Sequence, residues 1–238
     1  MSAYKAIIKQ IAELSDQERQ AMIRLYLAHY DGSGSTRFTA DLENKSEVLL
    51  LCFDDILIGF TTLQIYERTW SEQPIRIVYS GDTVVDREHW GQQALAVRWI
   101  TRMGELKGEK PDLPLYWFLI VKGHRTFKYL PVFCRSFYPH WSIDRSDLKP
   151  LADALAQEKF GTEYNPAAGV VEFAVSKGHL KEEIALPSER EKTKQAVLFF
   201  LEKNPNYTKG HELVCLCELE EDNMRPLPRR IFRRAWQC

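Results

Sequence analysis

The chain has 238 residues, of which 45% are hydrophobic and 27% are charged, so disordered, collagen-like and fibrous classes are excluded. Lysine and arginine total 32 and aspartate and glutamate total 33, which gives a formal net charge of -1. This balance argues against a general nucleic-acid binder and against a polybasic membrane binder.

The first half of the chain alternates predicted strands with predicted helices. Strands are predicted at residues 4–10, 48–53, 56–67, 76–85 and 115–121. A helix is predicted to begin at Ser15, because Ser15 and Glu18 have the spacing of a capping box. Apolar residues with helical spacing predict a helix at 94–108, and a shorter helix is predicted at 37–44. The continuous apolar run at 115–121 indicates a strand buried on both faces.

The second half of the chain has weaker patterns. Residues 124–139 are dense in aromatic side chains and are predicted to be partly helical, with an interruption at Pro131. The elements expected beyond them are a helix at 148–160, a loop at 166–169, a strand at 170–175, a helix at 188–203 with a Ser188 cap, and a strand at 213–219. The tail contains arginine and no acidic residue, at Arg225, Arg229, Arg230, Arg233 and Arg234.

The location of the protein is inferred from its apolar segments and cysteines. The longest apolar run, at 115–121, is far shorter than the roughly 20 residues that span a bilayer. The N-terminus lacks the continuous apolar stretch of a secretory signal, so we expect a cytoplasmic protein. The five cysteines include no C-x-x-C pair, and Cys215 and Cys217 are expected to be buried thiols on one face of a strand.

Residues 76–108 form a predicted strand, loop and helix that offers a binding site for an anion. The first amides of a helix have no backbone partner, and the helix dipole favours negative charge there. Gly91 lies just before this helix, so a ligand that carries a pyrophosphate is a natural occupant. The alternative is an ordinary strand-to-helix turn without a ligand.

The same segment resembles the acyl-CoA-binding motif of the GNAT acyltransferase superfamily. Val84 and Val85 match the strand end of that motif, and residues 90–95 match the turn that wraps the CoA pyrophosphate. Gly91 is kept, whereas Trp90 stands where the family has Arg or Gln. Gln93 stands where the family has Gly, and Leu95 stands where it has Gly or Ala. Their side chains would crowd the close backbone approach that glycine permits.

The resemblance implies a fold, a donor and a donor-binding segment. The fold is α/β (α+β), with a mixed, mostly antiparallel sheet flanked by helices, a donor-binding core at 1–145 and a C-terminal elaboration at 146–238. The donor is an acyl-CoA or an acyl carrier protein thioester, placed between the strand that ends at Val85 and the strand at 115–121. The residues implied in donor binding are Thr83, Val84, Val85, Trp90, Gly91, Gln92, Gln93, Ala94 and Leu95.

The acyl group and the acceptor are implied by a second resemblance. Residues 116–120 and 199–216 resemble a GNAT-like subfamily that attaches fatty acyl groups to peptide natural products. This implies an N-acyltransferase whose acceptor is an amine of a peptide or a small molecule. The aromatic segment at 124–139 is then a candidate lining for an acyl tunnel.

Acyl transfer to an amine requires a base for the ammonium proton and an acid for the leaving thiolate. The candidate bases are Asp82, Glu67 and His124, of which His124 has an ordinary pKa near neutrality. The candidate acids are Tyr129 and Tyr138. The alternatives are structural: Asp82 beside Gly81 marks a β-bulge, Glu67 is an exposed strand end, His124 is a solvated loop residue, and each tyrosine belongs to the core or surface. His211 and Glu212 are further candidates for the acceptor side, and His179 is expected in a loop.

Two other functions remain open at the level of sequence. The incomplete glycine pattern of the turn is compatible with a non-catalytic protein that binds a thioester or a lipid. The arginine tail is compatible with a nucleic-acid or acidic partner, unless the acidic residues at 218 and 220–222 neutralise it. Histidine spacings typical of a catalytic metal are missing, and no metal is expected. The G-x-S-x-G pattern of a serine hydrolase is also missing.

Overall fold

The computed structural model describes residues 3–237, so the outermost residues of the predicted 1–145 and 146–238 segments lie outside it. The described residues form two compact units. The first unit contains residues 3–28, 34–115 and 219–237, and the second contains residues 29–33 and 116–218. The division at residue 145 stays a prediction.

The strands and helices have the following bounds. The strands are β1 (Tyr4–Gln10), β2 (Tyr30–Asp31), β3 (Glu47–Phe53), β4 (Ile56–Trp70), β5 (Gln73–Val85), β6 (Leu115–Val121), β7 (Tyr164–Asn165), β8 (Val170–Val171), β9 (His179–Leu180) and β10 (Glu212–Glu218). The helices are α1 (Asp16–His29), α2 (Ser35–Leu42), α3 (Ala94–Glu109), α4 (His124–Phe127), α5 (Tyr129–Phe133), α6 (Lys149–Phe160), α7 (Glu182–Ala185), α8 (Glu189–Lys192), α9 (Gln195–Lys203) and α10 (Pro226–Trp236).

In the first unit, β1, β3, β4 and β5 pair antiparallel in that order. Two tight turns join the last three strands, at Asp54–Asp55 and at Ser71–Glu72, and all four turn residues have positive φ. Such a backbone matches the right-handed twist of a hairpin. The second turn contains no glycine or asparagine, and the sequence analysis missed it. As a result, β4 ends three residues later and β5 begins three residues earlier than predicted.

The helix α3 packs on β1 and β3, and α10 packs on α3. Two glycines of α3 make the contact between the helices close. A β-carbon at Gly104 would overlap the carbonyl oxygen of Phe232 and lie 2.8 Å from the β-carbon of Ala235. A β-carbon at Gly108 would lie 2.9 Å from the carbonyl oxygen of Trp236. The arginine tail is thus a helix held against α3 by its apolar side, with Phe232 fully buried.

In the second unit, β6, β10, β8 and β7 pair antiparallel in that order. Cys215 and Cys217 are buried on β10, as predicted, and the four cysteines in the described residues are free thiols. The aromatic segment after Gly123 forms much of the core. The ring of Phe127 lies 5.8–5.9 Å from the rings of Phe137, Phe199 and Phe200. Core packing therefore accounts for this aromatic density, and an acyl tunnel in the segment stays a prediction.

Three predicted elements of the second unit are wrong in extent. The strand at 170–175 is only Val170–Val171, and the Glu172 amide adds one further bond to the carbonyl of Glu163 in register with the pairing of β7 and β8. The helix at 188–203 is two helices, α8 and α9, although the Ser188 cap is present. Pro131 lies inside the first turn of α5, where its missing amide is not needed, and the break falls at Lys128 instead.

The described structure confirms the predicted fold class, a mixed α/β protein with mainly antiparallel strand pairing and flanking helices. The Ser15 capping box is also confirmed, since the Glu18 amide donates to Ser15 Oγ and the Ser15 amide donates to Glu18 Oε2. Among residues 3–237, no helix is both long enough and apolar enough to cross a membrane.

We expect Gly104→Ala to lower the free energy of unfolding by about 1–3 kcal/mol, because the new methyl group overpacks the α3–α10 contact. This sign is opposite to intrinsic helix propensity, which favours Ala over Gly by about 1 kcal/mol. Denaturant unfolding measures the effect. The matched control is Gly34→Ala, where the added β-carbon meets nothing within 4 Å. Equal stability of the two variants would contradict the prediction.

Candidate functional site

The strand β5 contains a bulge at the position of a candidate base. Thr61 pairs with Thr83, and Leu63 pairs with Ser80, so the single residue Thr62 faces both Gly81 and Asp82. This confirms the β-bulge expected from an aspartate next to Gly81. A bulge bends its strand and redirects the side chains around it. It places the half-buried Asp82 on the irregular part of β5, just before the strand end.

The side chains of Lys45 and Thr62, which the sequence analysis missed, pack against the bulge. A β-carbon on Gly81 would overlap Thr62 Oγ1 and would lie 2.5 Å from Lys45 Cε. Lys45 is buried, and its ammonium group donates to Asp41 Oδ2 at 2.5 Å and lies 5.5 Å from the centre of the Tyr79 ring. The Thr62 hydroxyl is buried and has no hydrogen-bond partner among the described residues. In the sequence, Lys45 has the pattern of an ordinary charged turn residue, so only the fold identifies it.

Contacts within the sheet and contacts from the following loop hold the end of β5 in place. Thr83 Oγ1 lies 2.7 Å from Thr61 Oγ1, and Val84 is buried. The indole of Trp90 donates to the carbonyl of Val85 at 2.9 Å, and the guanidinium group of Arg87 lies over the Trp90 ring. Trp90 therefore fastens the loop to the strand end.

The turn before α3 is open at Gly91, which has a φ of 95° and no atom within 4 Å of a β-carbon placed there. Gln92 Oε1 accepts from the Leu95 amide at 3.2 Å, and Gln93 Nε2 donates to the Gly91 carbonyl at 3.0 Å. In the described chain, the amides of Gln93 and Ala94 have no hydrogen-bond partner. Open space and unpaired amides at a helix start fit a phosphate group, so the turn is compatible with the pyrophosphate of CoA.

His124, the first residue of α4, is almost fully buried in the second unit, not a solvated loop residue. Burial, together with the positive charge of Arg125, lowers the pKa of His124 to about 4. The expectation of a pKa near neutrality is wrong, because local sequence does not reveal burial. Neither ring nitrogen has a hydrogen-bond partner in residues 3–237, although Nε2 lies 3.4 Å from Glu191 Oε1.

Glu191, which the sequence analysis missed, lies next to His124 and accepts hydrogen bonds from several neighbouring groups. It accepts hydrogen bonds from the Ser188 amide at 3.1 Å, from Lys128 at 3.1 Å and from Arg125 at 3.3 Å. Burial works against ionisation, but the bonds from Ser188 and Lys128 prevail and lower the pKa of Glu191 to about 2. Glu191 is thus a fixed negative charge that holds α4 and α8 together.

The two candidate acids, Tyr129 and Tyr138, lie in the second unit. Burial raises the pKa of Tyr129, whose ring lies 5.4 Å from the ring of Phe133. The backbone of Tyr138 exchanges two hydrogen bonds of 2.8 Å with Leu216, which fixes it beside β10. Burial and the charge of Asp153 raise the pKa of Tyr138 to about 12. Both phenols are therefore protonated at neutral pH and able to donate a proton.

The remaining candidate residues form ion pairs or polar contacts with neighbouring protein groups. Glu67 forms ion pairs with Lys110 at 2.7 Å and Arg76 at 2.9 Å, and their hydrogen bonds lower its pKa. Glu212 is buried and pairs with Lys122 at 3.2 Å, while the carbonyl of His211 accepts from Asn204. His179 Nδ1 lies 3.3 Å from Ser176 Oγ.

Asp82 and the turn up to Leu95 belong to the first unit, and the second unit contains His124, Tyr129 and Tyr138. In residues 3–237, no group of three or more His, Cys, Asp or Glu side chains could hold a metal ion.

No protein-family model matches the chain, and no curated protein matches it in sequence. Solved structures with similarity to it include a probable N-acyltransferase from Enterococcus faecalis (11% identity, TM-score 0.42), which covers 56% of this chain. This chain spans 33% of that protein's length. A GNAT family N-acetyltransferase from Escherichia coli in complex with CoA has 14% identity and a TM-score of 0.39, covering 55% of this chain and 69% of its own. An aminoglycoside acetyltransferase from a soil metagenomic sample has 22% identity and a TM-score of 0.34, covering 49% and 76%. These TM-scores are too low to show a common fold.

We expect stability to fall as the pH decreases from about 6.5 to about 4, because the unfolded His124 takes up a proton in this range and the buried one does not. The loss is on the order of 3 kcal/mol for this group, at 1.36 kcal/mol per pKa unit. Urea unfolding at a series of pH values measures it. His124→Gln removes the titration, so its stability should depend less steeply on pH. Parallel curves for the variant and the parent chain would contradict the prediction.

Proposed function

We propose that the protein is a GNAT-like N-acyltransferase that transfers an acyl group from a CoA or carrier-protein thioester to an amine. The observation that carries the proposal is the order of features on β5 and α3: a bulge at Gly81–Asp82, the strand end at Val85, and an open turn at Gly91 with unpaired amides before a helix. A strand end followed by such a turn suits a donor with an anionic group and an extended arm.

Donor binding would use the backbone of the turn and the strand end. The amides of Gln93 and Ala94, at the positive end of the α3 dipole, would bind the donor phosphates. The open space at Gly91 permits a close approach to the backbone. Thr83, Val84 and Val85 would line the path of the pantetheine arm, as the resemblance to the family implies.

Among the three candidate bases, we propose Asp82. Glu67 is held in two ion pairs, and His124 is almost fully buried in the second unit. Asp82 is half-buried on the bulge, just before the end of the strand that would hold the donor. The amine would then attack the thioester carbonyl, its proton would pass to Asp82, and the leaving thiolate would take up a proton. The resemblance to the family implies a tyrosine as the acid for this step, with Tyr129 and Tyr138 as the candidates. The raised pKa values keep both phenols protonated at neutral pH and make them weaker acids than an exposed tyrosine.

A fatty acyl group and a peptide or small-molecule amine are the finer part of the proposal. They are supported by the resemblance of residues 116–120 and 199–216 to enzymes that acylate peptide natural products. The second unit is rich in apolar residues, which is compatible with a long acyl chain. The rings of Phe127 and Phe137 already pack against each other, so the support for a long chain comes from composition and not from an observed tunnel.

The proposal is tested by incubating the purified chain with acyl-CoA donors from acetyl to palmitoyl and a panel of peptide and small-molecule amines. We expect release of free thiol and an acceptor mass increased by one acyl group. Asp82→Asn should lower kcat by roughly 100-fold or more, as for loss of a general base, while donor affinity is kept. Thioester binding without product from any acceptor would favour the non-catalytic alternative, and full activity of Asp82→Asn would remove Asp82 as the base.

We expect Gly91→Ala to weaken acyl-CoA binding by about tenfold, or 1.4 kcal/mol, because the new methyl group occupies the open face of the turn. Isothermal titration calorimetry measures the change. Gly161→Ala is the matched control, since Gly161 also has positive φ and open space around it but lies at the end of α6. Equal losses in both variants would mean that backbone strain, not donor contact, explains the effect.

A further inference from the structure

The helix α10 presents a basic face that the proposed chemistry does not use. We define the arginine face as the side of α10 formed by Arg229, Arg230, Arg233 and Arg234. Arg230, Arg233 and Arg234 are exposed, and α10 contains no acidic residue. The positions i, i+1, i+4 and i+5 form one continuous stripe along a helix.

The opposite side of α10 is already occupied. Pro228 and Phe232 are buried, and Phe232 and Trp236 contact α3 at Gly104 and Gly108. A helix that inserts into a membrane surface needs its apolar side free for the lipid. Because α3 covers that side here, the arginine face is a fixed outward surface and not part of a membrane anchor.

The acids beside the arginine face favour a protein partner over a nucleic acid. Glu221 pairs with Arg229 at 3.0 Å and with Arg233 at 3.7 Å, and Asp222 pairs with Arg229 at 3.2 Å. The Asp222 side chain is 94% exposed, so acids interrupt the positive charge of the face. Such a surface suits separated carboxylates on a folded partner better than a continuous row of phosphates. Leu227, next to the stripe and 57% exposed, adds the apolar contact typical of protein interfaces.

The arginine face and the proposed donor turn belong to the same helix pair. Phe232 is opposite Gly104 and Trp236 is opposite Gly108, so α10 and α3 run parallel in register. This register places Arg230 level with residue 102 and Arg233 level with residue 105, eight and eleven residues from the start of α3 at Ala94. At about 1.5 Å per residue, these arginines are about 12–17 Å from the start of α3 along the helix axis.

We propose that the arginine face docks an acidic carrier protein that presents the acyl thioester to the turn at Gly91. The proposal rests on the proposed function and deepens it by naming the protein-bound donor. Carboxylates on the carrier would pair with Arg230 and Arg233, which are at the centre of the stripe, while Leu227 would contact an apolar side chain. The carrier would dock on α10 while its pantetheine arm extends toward the end of β5.

The experiment compares two donors that carry the same dodecanoyl chain, a bacterial fatty-acid acyl carrier protein and CoA. Arg230→Glu should lower kcat/KM for the carrier donor by about tenfold or more, mainly through KM, and leave CoA unaffected. A neutral pair, Arg230→Ala with Arg233→Ala, tests the face without placing a new acid near Glu221. Arg24→Glu, an exposed arginine of α1 with the same change in charge, is the matched control.

Calorimetry with the unacylated carrier protein separates docking from catalysis. Weakened binding by both arginine variants, with normal binding by Arg24→Glu, supports the proposal even where no acceptor is acylated; absent transfer from every donor would instead count against the proposed function. Equal losses for the CoA and carrier donors would assign the arginine face to CoA itself and overturn carrier docking. Unchanged carrier binding in both variants, or RNA binding that the variants abolish while carrier binding persists, would overturn it as well.

Discussion

The extra residue in β5 forms the bulge on which Asp82, the proposed base, lies. Thr62 faces both Gly81 and Asp82, and the stem of Lys45 crosses Gly81 where a β-carbon would stand. Only glycine permits this approach, so the absence of a side chain at residue 81 allows a buried lysine to cover the bulge. The Asp41 carboxylate then compensates the ammonium charge of Lys45. A larger residue at 81 would displace both the cation and the strand, and Asp82 would move with them.

Paired charges fix α3, and hence the turn at its start, in the first unit. Arg76 is buried and donates to the carbonyl of Leu106 at 2.8 Å as well as to Glu67, and Arg102 donates to the buried Glu47 at 2.7 Å. Burial alone would lower the pKa of Arg102, but the hydrogen bonds and charge of Glu47 raise it. Removing one partner of such a pair leaves an uncompensated buried charge, which costs about 3–5 kcal/mol. These contacts therefore connect α3 to β3 through Glu47 and to β5 through Arg76.

Much of the fold follows from local sequence patterns, and the exceptions have physical reasons. The strands β1 and β6 have the predicted bounds, because alternating or continuous apolar runs identify them, and the aspartate next to Gly81 indicated the bulge. The turn at Ser71–Glu72 has positive φ without glycine, so composition gives no sign of it. The tail helix α10 begins at a proline, which is tolerated in a first turn but resembles a helix breaker in sequence. The burial of His124 and the roles of Lys45 and Glu191 depend on residues distant in the chain, which one sequence cannot pair.

The turn before α3 also explains why its departures from the family pattern are compatible with an anion site. Gln93 has a φ of -108°, which any residue adopts, and Leu95 lies inside α3 with its side chain in the core. Neither position needs glycine for its backbone, whereas Gly91, with a φ of 95°, does. Trp90 and Gln92 fasten the turn through their own hydrogen bonds to Val85 and Leu95. Side chains thus hold the backbone that a glycine-rich turn would leave mobile, and a turn already held in shape loses less entropy when it binds a ligand. The amides of Gln93 and Ala94 are unpaired in this arrangement, so the departures at residues 93 and 95 change how the turn is held and leave the amides that the proposed donor site would use.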